Sequence, residues 1–441
     1  MHCNVRQRFH AVGHGTFLTG LAVGDGGSAV EATFAWAYDC GSRSRRAMAD
    51  ALIVATEEEH WPEAIDMLIL SHFDDDHVNG LEDFLLLHRT KYLVLPYSEW
   101  HRRLRDLAFG ASHGVSASTA ALQIDPIAWL ESRGLSARVE AIILVQGNAA
   151  DPDDVADEQT PVVANPVQDR PEPSTLRPDE LPTVEPEDVG FIGGSDATRL
   201  PRVHLASHRT AFKAGRLPLE LMFYNAEMPG PDLTVIDKDA QGRHVARKSG
   251  VLLEDVRREV EDTFVALGLD ADVLEWPHDW RQSLKACYGK HFGTTAAARN
   301  NISLCLLVLP FGRNVWSYAP YFFGHKAYDQ QMVGRAQPVW PGLLCTGDLH
   351  LDETVLDDMR AHFGPERWQH LGVTQVPHHG SASSWETGNA DKLSFSMFVH
   401  CAPCTAAHPH PDVIADLAMH RVLVANYKYS VTLDYRFEYP F

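Results

Sequence analysis

Residues 65–80 constrain this chain more than any other stretch. An apolar run from Ile65 to Leu70 passes into Ser71-His72-Phe73-Asp74-Asp75-Asp76-His77, and then into a segment whose apolar positions Val78, Leu81, Phe84 and Leu85 recur at helical spacing. The pattern predicts a short buried strand over 65–70, a loop, and a helix over 78–87. Four potential metal ligands, His72, Asp74, Asp76 and His77, fall within six residues at the strand end. Such a loop can aim His72, Asp74 and Asp76 into one cleft. His77 then sits at a helix N-terminus, whose partial positive charge favours nearby carboxylates. Acidic runs are usually solvated loops and a lone histidine is usually not a ligand, so the segment gains meaning from partners elsewhere.

Three such partners exist. Leu343-Leu344-Cys345-Thr346-Gly347-Asp348 reads as an apolar strand ending in an acid suited to bridging two cations. Val376-Pro377-His378-His379-Gly380-Ser381 is again strand, then loop. Upstream, Phe34, Trp36 and Tyr38 alternate with small residues before Asp39-Cys40-Gly41, another strand ending in an acid.

The order of these motifs resembles the metallo-β-lactamase superfamily, in which an Asp after one strand, an HxHxDH loop, a later Asp and a final His build a two-metal site. More closely it is similar to the soluble hydrolase domain of ComEC-type DNA-uptake proteins, which carries HxDxDH, as do His72, Asp74, Asp76 and His77 here. The resemblance extends to Val12-Gly13-His14-Gly15 (the family's VGQG turn), Asn301-Ile302-Ser303, Thr346-Gly347-Asp348, Pro377-His378-His379-Gly380-Ser381 and His408-Pro409. At three places the chain departs from it. His14 replaces the turn's glutamine, Thr16 the acid after it, and Gln375 a common lysine.

The resemblance implies an αββα sandwich of the α/β class and a centre of two divalent cations. His72 and Asp74 are expected to hold one cation and Asp76 and His77 the other, with Asp348 between them and His379 or His378 completing the set. Two cations ~3.5–4 Å apart polarise a phosphoryl oxygen and lower the pKa of a water between them. Asp74 in place of a histidine adds a hard oxygen ligand and moves the expected metal from Zn²⁺ toward Mn²⁺ or Mg²⁺, with Zn²⁺ still open. Asp39 is expected to orient a ligating histidine from outside the ligand set, as outer carboxylates do. Asp76 and His408 are the candidate catalytic residues, with helix-entry capping the alternative role for His408. Arg43, Arg45, Arg46 and Ser381 are the candidate substrate contacts. A second basic cluster, His101, Arg102, Arg103 and Arg105, reads equally as a solvated helix face. Of the 24 histidines most cannot be ligands, and among His10, His14, His350 and His400 only His14 draws attention.

Composition bounds the rest. At 441 residues and 45% hydrophobic content the chain can bury a large core. It shows no apolar run of ~20 residues and no signal-peptide core, so a cytoplasmic protein without a membrane segment is expected. Seven scattered cysteines predict reduced thiols, with Cys401 and Cys404 read as buried thiols rather than as a redox or zinc pair. The formal charge of −21 argues against a nucleic-acid substrate, but residues 151–190 contribute −10 of it. That segment holds eight prolines and is read as a flexible acidic linker, extending over 147–190.

Strands are expected at 8–12, 17–23, 33–38, 65–70, 92–95, 219–224, 302–309, 342–346, 372–376, 395–399 and 430–435. Helices are expected at 45–56, 78–87, 99–108, 118–133, 253–267, 354–363 and 413–419. The organisation expected is a first half of the hydrolase domain over 1–98, an enlarged insertion over 99–290 and a second half over 291–441. The function expected is a phosphodiesterase or nuclease acting on DNA or another nucleic acid, with a further protein partner possible through 99–290. Two alternatives stand beside it. One is hydrolysis of a small ester, lactone, thioester or cyclic nucleotide on the same scaffold. The other is a noncatalytic module of a multi-protein, antiviral or DNA-handling system.

Overall fold

The computed structural model describes residues 2–25, 32–58, 60–97, 115–147, 175–189, 200–226, 234–238, 244–248, 262, 303–310, 316–317, 321–323, 342–393, 397–405 and 407–438. Fourteen strands carry the framework: β1 (His2–Phe9), β2 (Phe17–Asp25), β3 (Ala32–Cys40), β4 (Ala64–Ile69), β5 (Arg89–Tyr97), β6 (Val139–Gln146), β7 (Arg202–Ser207), β8 (Leu219–Asn225), β9 (Leu304–Pro310), β10 (Gly342–Cys345), β11 (Leu371–Gln375), β12 (Met397–Cys401), β13 (Val422–Ala425) and β14 (Val431–Glu438). Helices are α1 (Arg45–Thr56), α2 (Asp75–Val78), α3 (Leu81–Leu87), α4 (Ala117–Ile124), α5 (Pro126–Ser132), α6 (Glu353–Gln369), α7 (Asn389–Lys392) and α8 (Pro411–Asp416).

The strands form two mixed sheets, and the protein is of the α/β class. In the first, β14, β1, β2, β3, β4, β5, β6 and β7 lie side by side, antiparallel up to β3 and parallel from β3 to β7. In the second the order is β13, β12, β11, β10, β9, β8, parallel up to β10 and antiparallel beyond it.

Alternation along the strands sorts side chains between three cores. Phe34, Trp36 and Tyr38 of β3 join Leu304, Leu306 and Val308 of β9 in the core shared by the two sheets. Ala35 and Ala37 point the other way, beneath Leu52 of α1, Phe84 of α3 and Leu130 of α5. Cys305, Leu307 and Leu309 of β9 likewise meet Leu356, Met359 and Phe363 of α6 on the far side of the second sheet. Strands apolar on both faces, as β9 is, are what covered sheets require.

Several element bounds differ from the sequence reading for identifiable reasons. The helix expected at 78–87 begins earlier, at Asp75, and breaks after Val78, so that Asp76 and His77 are themselves helical. The helix expected at 118–133 is two helices. Asp125 ends α4 in an extended conformation and caps Ala128 N of α5, and Pro126 takes the first helical position. The helix expected at 354–363 continues to Gln369 across Gly364, at φ 78°. The first strand covers His2–Phe9 rather than 8–12, because its bonds run to both β2 and β14. Strands β6, β7 and β13 were not anticipated. Residues within 99–290 contribute β6 and β7 to the first sheet and β8 to the second. In the acidic segment read as a flexible linker, 175–189 is ordered, with two short strands and buried Leu181 and Val189. Apolar anchors hold it despite its charge. The helices expected at 99–108 and 253–267, the cluster His101, Arg102, Arg103 and Arg105, and Asn301-Ile302 lie outside the described residues. No helix among the described residues is long and apolar enough to cross a membrane.

Candidate metal centre

The candidate ligands meet where strands of both sheets end. β4 delivers His72, Asp74, Asp76 and His77, β10 delivers Asp348, and β11 delivers His378 and His379. Among the described residues, two groups of three side chains place one ligand atom each within 4.8 Å of one another. One is His72, His77 and Asp348, and the other is His14, Asp76 and His379. All six are buried.

Asp348 is the hub of the first group. Its Oδ1 is 3.1 Å from His77 Nε2, and its Oδ2 is 3.7 Å from His72 Nε2 and 3.5 Å from His378 Nε2. Asp74 approaches the same side, its Oδ2 being 3.8 Å from His72 Nε2. In the second group Asp76 Oδ2 is 3.4 Å from His14 Nε2 and 3.6 Å from His379 Nε2. The sequence pairing of Asp76 with His77 is therefore corrected. The two are adjacent in helix α2, and successive helical side chains diverge by roughly 100°, so they face different groups.

Surrounding bonds fix the imidazoles. His77 Nδ1 donates to Asp39 Oδ2 at 2.8 Å, and Asp39 also accepts from Ser71 N at 2.6 Å and Ser71 Oγ at 2.8 Å. His379 Nδ1 donates to the Cys401 carbonyl at 2.7 Å, and His378 Nδ1 lies 3.0 Å from Ser384 Oγ. Asp39 thus holds His77 and Ser71 together. Ser71, Ser384 and the Cys401 carbonyl had no sequence signal, since a serine or a backbone oxygen carries no motif of its own.

With Nδ1 engaged, His77 and His379 each turn Nε2 inward. Both nitrogens are buried without a hydrogen-bond partner, as is Asp348 Oδ1. An imidazole nitrogen and a carboxylate oxygen 3.1 Å apart in a dry site repel unless a positive charge, a proton or a metal cation, joins them. Donor atoms sharing one cation stand ~3–3.5 Å apart, close to the separations found here. These buried His/Asp groups can hold a metal ion.

The electrostatics are those of a cluster whose carboxylates stay negative. Burial alone would raise the pKa of Asp348, but His378, His77 and His72 outweigh it and hold the carboxyl well below its usual range. For Asp76 burial is likewise overcome, by the proximity of His379 and the charge of His77, and the carboxyl stays ionised. Burial disfavours a charged His77, yet Asp348 and Asp39 on either side raise its pKa well above the ordinary value, so that without a cation a proton stands between Nε2 and Asp348, and a metal ion would take that proton's place. His14 is lowered to about 3, by burial and then by neighbouring His379, so its ring is neutral.

The remaining predicted residues divide. His408 stands at the rim, half-buried, with its ring 5.5 Å from that of His14 and 6.3 Å from that of His378. The helix entry is capped by His410 instead, whose Nδ1 accepts from Asp412 N. Arg43 reaches the site, its largely exposed guanidinium 3.4 Å from Asp76 Oδ2. Arg45 and Arg46 do not. They belong to α1, where Arg46 faces Asp50 at the surface and Arg45 lines a separate cavity of about 370 Å³ together with Glu82, Trp129 and Arg133. A helix carries neighbouring side chains away from the strand end that starts it. Ser381 follows the His378–Gly380 turn with its hydroxyl on Ser383 Oγ. His10 bonds Thr19 and stacks on Phe17, and His350 bonds the Ser383 carbonyl. His400 is buried, and burial lowers its pKa to about 4.

No protein-family model and no curated protein matches this chain.

Proposed function

We propose that the protein is a metal-dependent hydrolase of the metallo-β-lactamase fold, of the ComEC-like branch, that cleaves phosphodiester bonds in DNA or another nucleic acid. The observation that carries the reading is the buried pair of His77 Nε2 and Asp348 Oδ1, 3.1 Å apart, with no hydrogen-bond partner beyond each other and flanked by four more imidazoles and two more carboxylates. Support for the fold assignment comes from the two facing sheets, helix-covered on their outer sides, and from ligands that emerge in the order the resemblance expects. His72, His77, Asp348, Asp74 and His378 would hold one cation, and Asp76 and His379 the other. Such cations supply Lewis acidity toward a phosphoryl oxygen and a lowered pKa for attacking water.

The chain's own residues then have defined parts. Asp39 and Ser71 keep His77 in the tautomer that offers Nε2 inward. Arg43, exposed beside Asp76, presents a guanidinium to a second oxygen of the phosphate. His408 at the rim is placed to exchange a proton with the departing oxygen. Burial of the ligands excludes bulk water and strengthens each of these interactions. The formal charge of −21 is no obstacle where the substrate's charge is met by cations and Arg43.

The test is incubation of the full chain with Mn²⁺ or Zn²⁺ and labelled DNA or RNA. Degradation is expected, with a loss of about 10³-fold or more in Asp76→Ala/His77→Ala, since ~4 kcal/mol of transition-state stabilisation goes with the ligands. Activity retained in that double variant would sink the site assignment. Turnover of small esters with none of polynucleotides would reject the nuclease reading in favour of another hydrolase on the same scaffold.

A further inference from the structure

The turn between β1 and β2 places Val12-Gly13-His14-Gly15-Thr16 against the ligand loop, and its backbone is bolted there. Thr16 N donates to the Asp76 carbonyl at 3.2 Å, Gly41 N to the Thr16 carbonyl at 3.0 Å, and Arg43 N to the His14 carbonyl at 2.8 Å. Gly15, at φ 149°, permits the approach. A Cβ at that position would lie 2.3 Å from the Gly41 carbonyl oxygen and 2.8 Å from that of Asp76. The side chain between the two glycines is consequently buried, with its Nε2 3.4 Å from Asp76 Oδ2 and its ring centroid 4.5 Å from that of His379. A separation of 3.4 Å is beyond the usual N–H···O range of ~2.7–3.2 Å, so hydrogen bonding to Asp76 does not account for the placement. It matches instead the spacing of two donors around one cation.

We infer that His14 is a ligand of the second cation, completing with Asp76 and His379 a set of two imidazoles and one carboxylate. The inference rests on the two-cation reading above and adds to it a residue that the resemblance does not supply, since the related turn carries glutamine. An amide oxygen is a hard, weak donor, whereas an imidazole nitrogen favours Zn²⁺ or Co²⁺ over Mg²⁺. Asp74 removes one imidazole from the set expected of lactamases, and His14 returns one on the other side of the centre. The second position is therefore nitrogen-rich and selective for borderline-soft cations.

Metal-free full chain titrated with Zn²⁺ against a chromophoric chelator tests this without reference to turnover. Wild type is expected to take up two equivalents. His14→Gln is expected to keep one unchanged and to weaken the other by about tenfold or more, the least that loss of a ligand costs when the loss of a group behind a ligand already costs 10–100-fold. In His14→Cys loaded with Co²⁺, a near-ultraviolet thiolate-to-cobalt charge-transfer band is expected, which only direct coordination produces. Two unchanged Zn²⁺ affinities in His14→Gln and no such band in His14→Cys would overturn the inference while leaving the centre standing. If wild type binds no divalent cation, or if Asp348→Ala binds as many as wild type, the two-cation reading itself fails. Thermal melting of each variant, compared with wild type, separates loss of a ligand from loss of the fold.

Discussion

Asp39 shows how much of the candidate site rests on one residue outside the proposed ligand set. It is fully buried, sits at φ 53° and receives hydrogen bonds from Ser71 N, Ser71 Oγ and His77 Nδ1. Burial raises its pKa, and His77 and Ser71 pull it back. Its carboxylate decides which nitrogen of His77 faces Asp348. Asp39→Asn keeps the shape but can donate where it should accept, so metal affinity is expected to fall ~10–100-fold. A metal titration equal to wild type would show that the tautomer needs no such control. At this scale the sequence was informative where a side chain is chemically distinctive. His72, Asp76, His77, Asp348 and His379 could be named, and Asp39 with them. Arg45 and Arg46, near Arg43 in sequence, lie away from the site because helix α1 turns their side chains elsewhere. His14 was only weakly visible, because one histidine among 24 carries meaning only once its neighbours are known.

Among the elements, the site belongs to strand ends. β3 and β4 run parallel, as do β10, β11 and β12, so Asp39, His72, Asp348, His379 and the Cys401 carbonyl all emerge at the same edge. The turn after β10 must then pass close to the one after β4. Gly347 adopts φ 54°, and a Cβ there would lie 2.8 Å from Ser71 Cβ. Gly347→Ala is expected to cost ~1–3 kcal/mol and to displace Ser71, lowering the unfolding midpoint and metal affinity together. An alanine variant with wild-type melting and metal binding would show that the contact is slack. Helix α1 was legible to its ends because Ser44 caps it through Ala47 N. Strand β6 was not, since the run from Val139 to Gln146 carries the same apolar residues a buried helix would.

Across the whole molecule, the proposed ligands come from both sheets. His72 and His77 follow a strand of the first sheet, and Asp348 and His379 strands of the second, so a cation held as proposed would link them. Binding to the folded state alone stabilises by ~2.7 kcal/mol at a hundredfold excess over the dissociation constant. Removing metal with a chelator is therefore expected to lower the melting temperature by several degrees, and Zn²⁺ or Mn²⁺ should restore it. Unchanged melting after verified metal removal would mean the sheets need no such link. A second closure comes from the chain ends, where β14 pairs with β1 over eight residues from His2↔Glu438 to Phe9↔Val431. What the sequence alone determined is the periodicity of the main strands and the identity of most of the acids and imidazoles, because both are local properties of side chains. The tertiary structure decided which of them share a group. The grouping of His14 with Asp76 and His379, and of His77 with Asp348, depends on strand order and on the close passage of glycine turns. These are relations between residues hundreds of positions apart, and no local pattern encodes them.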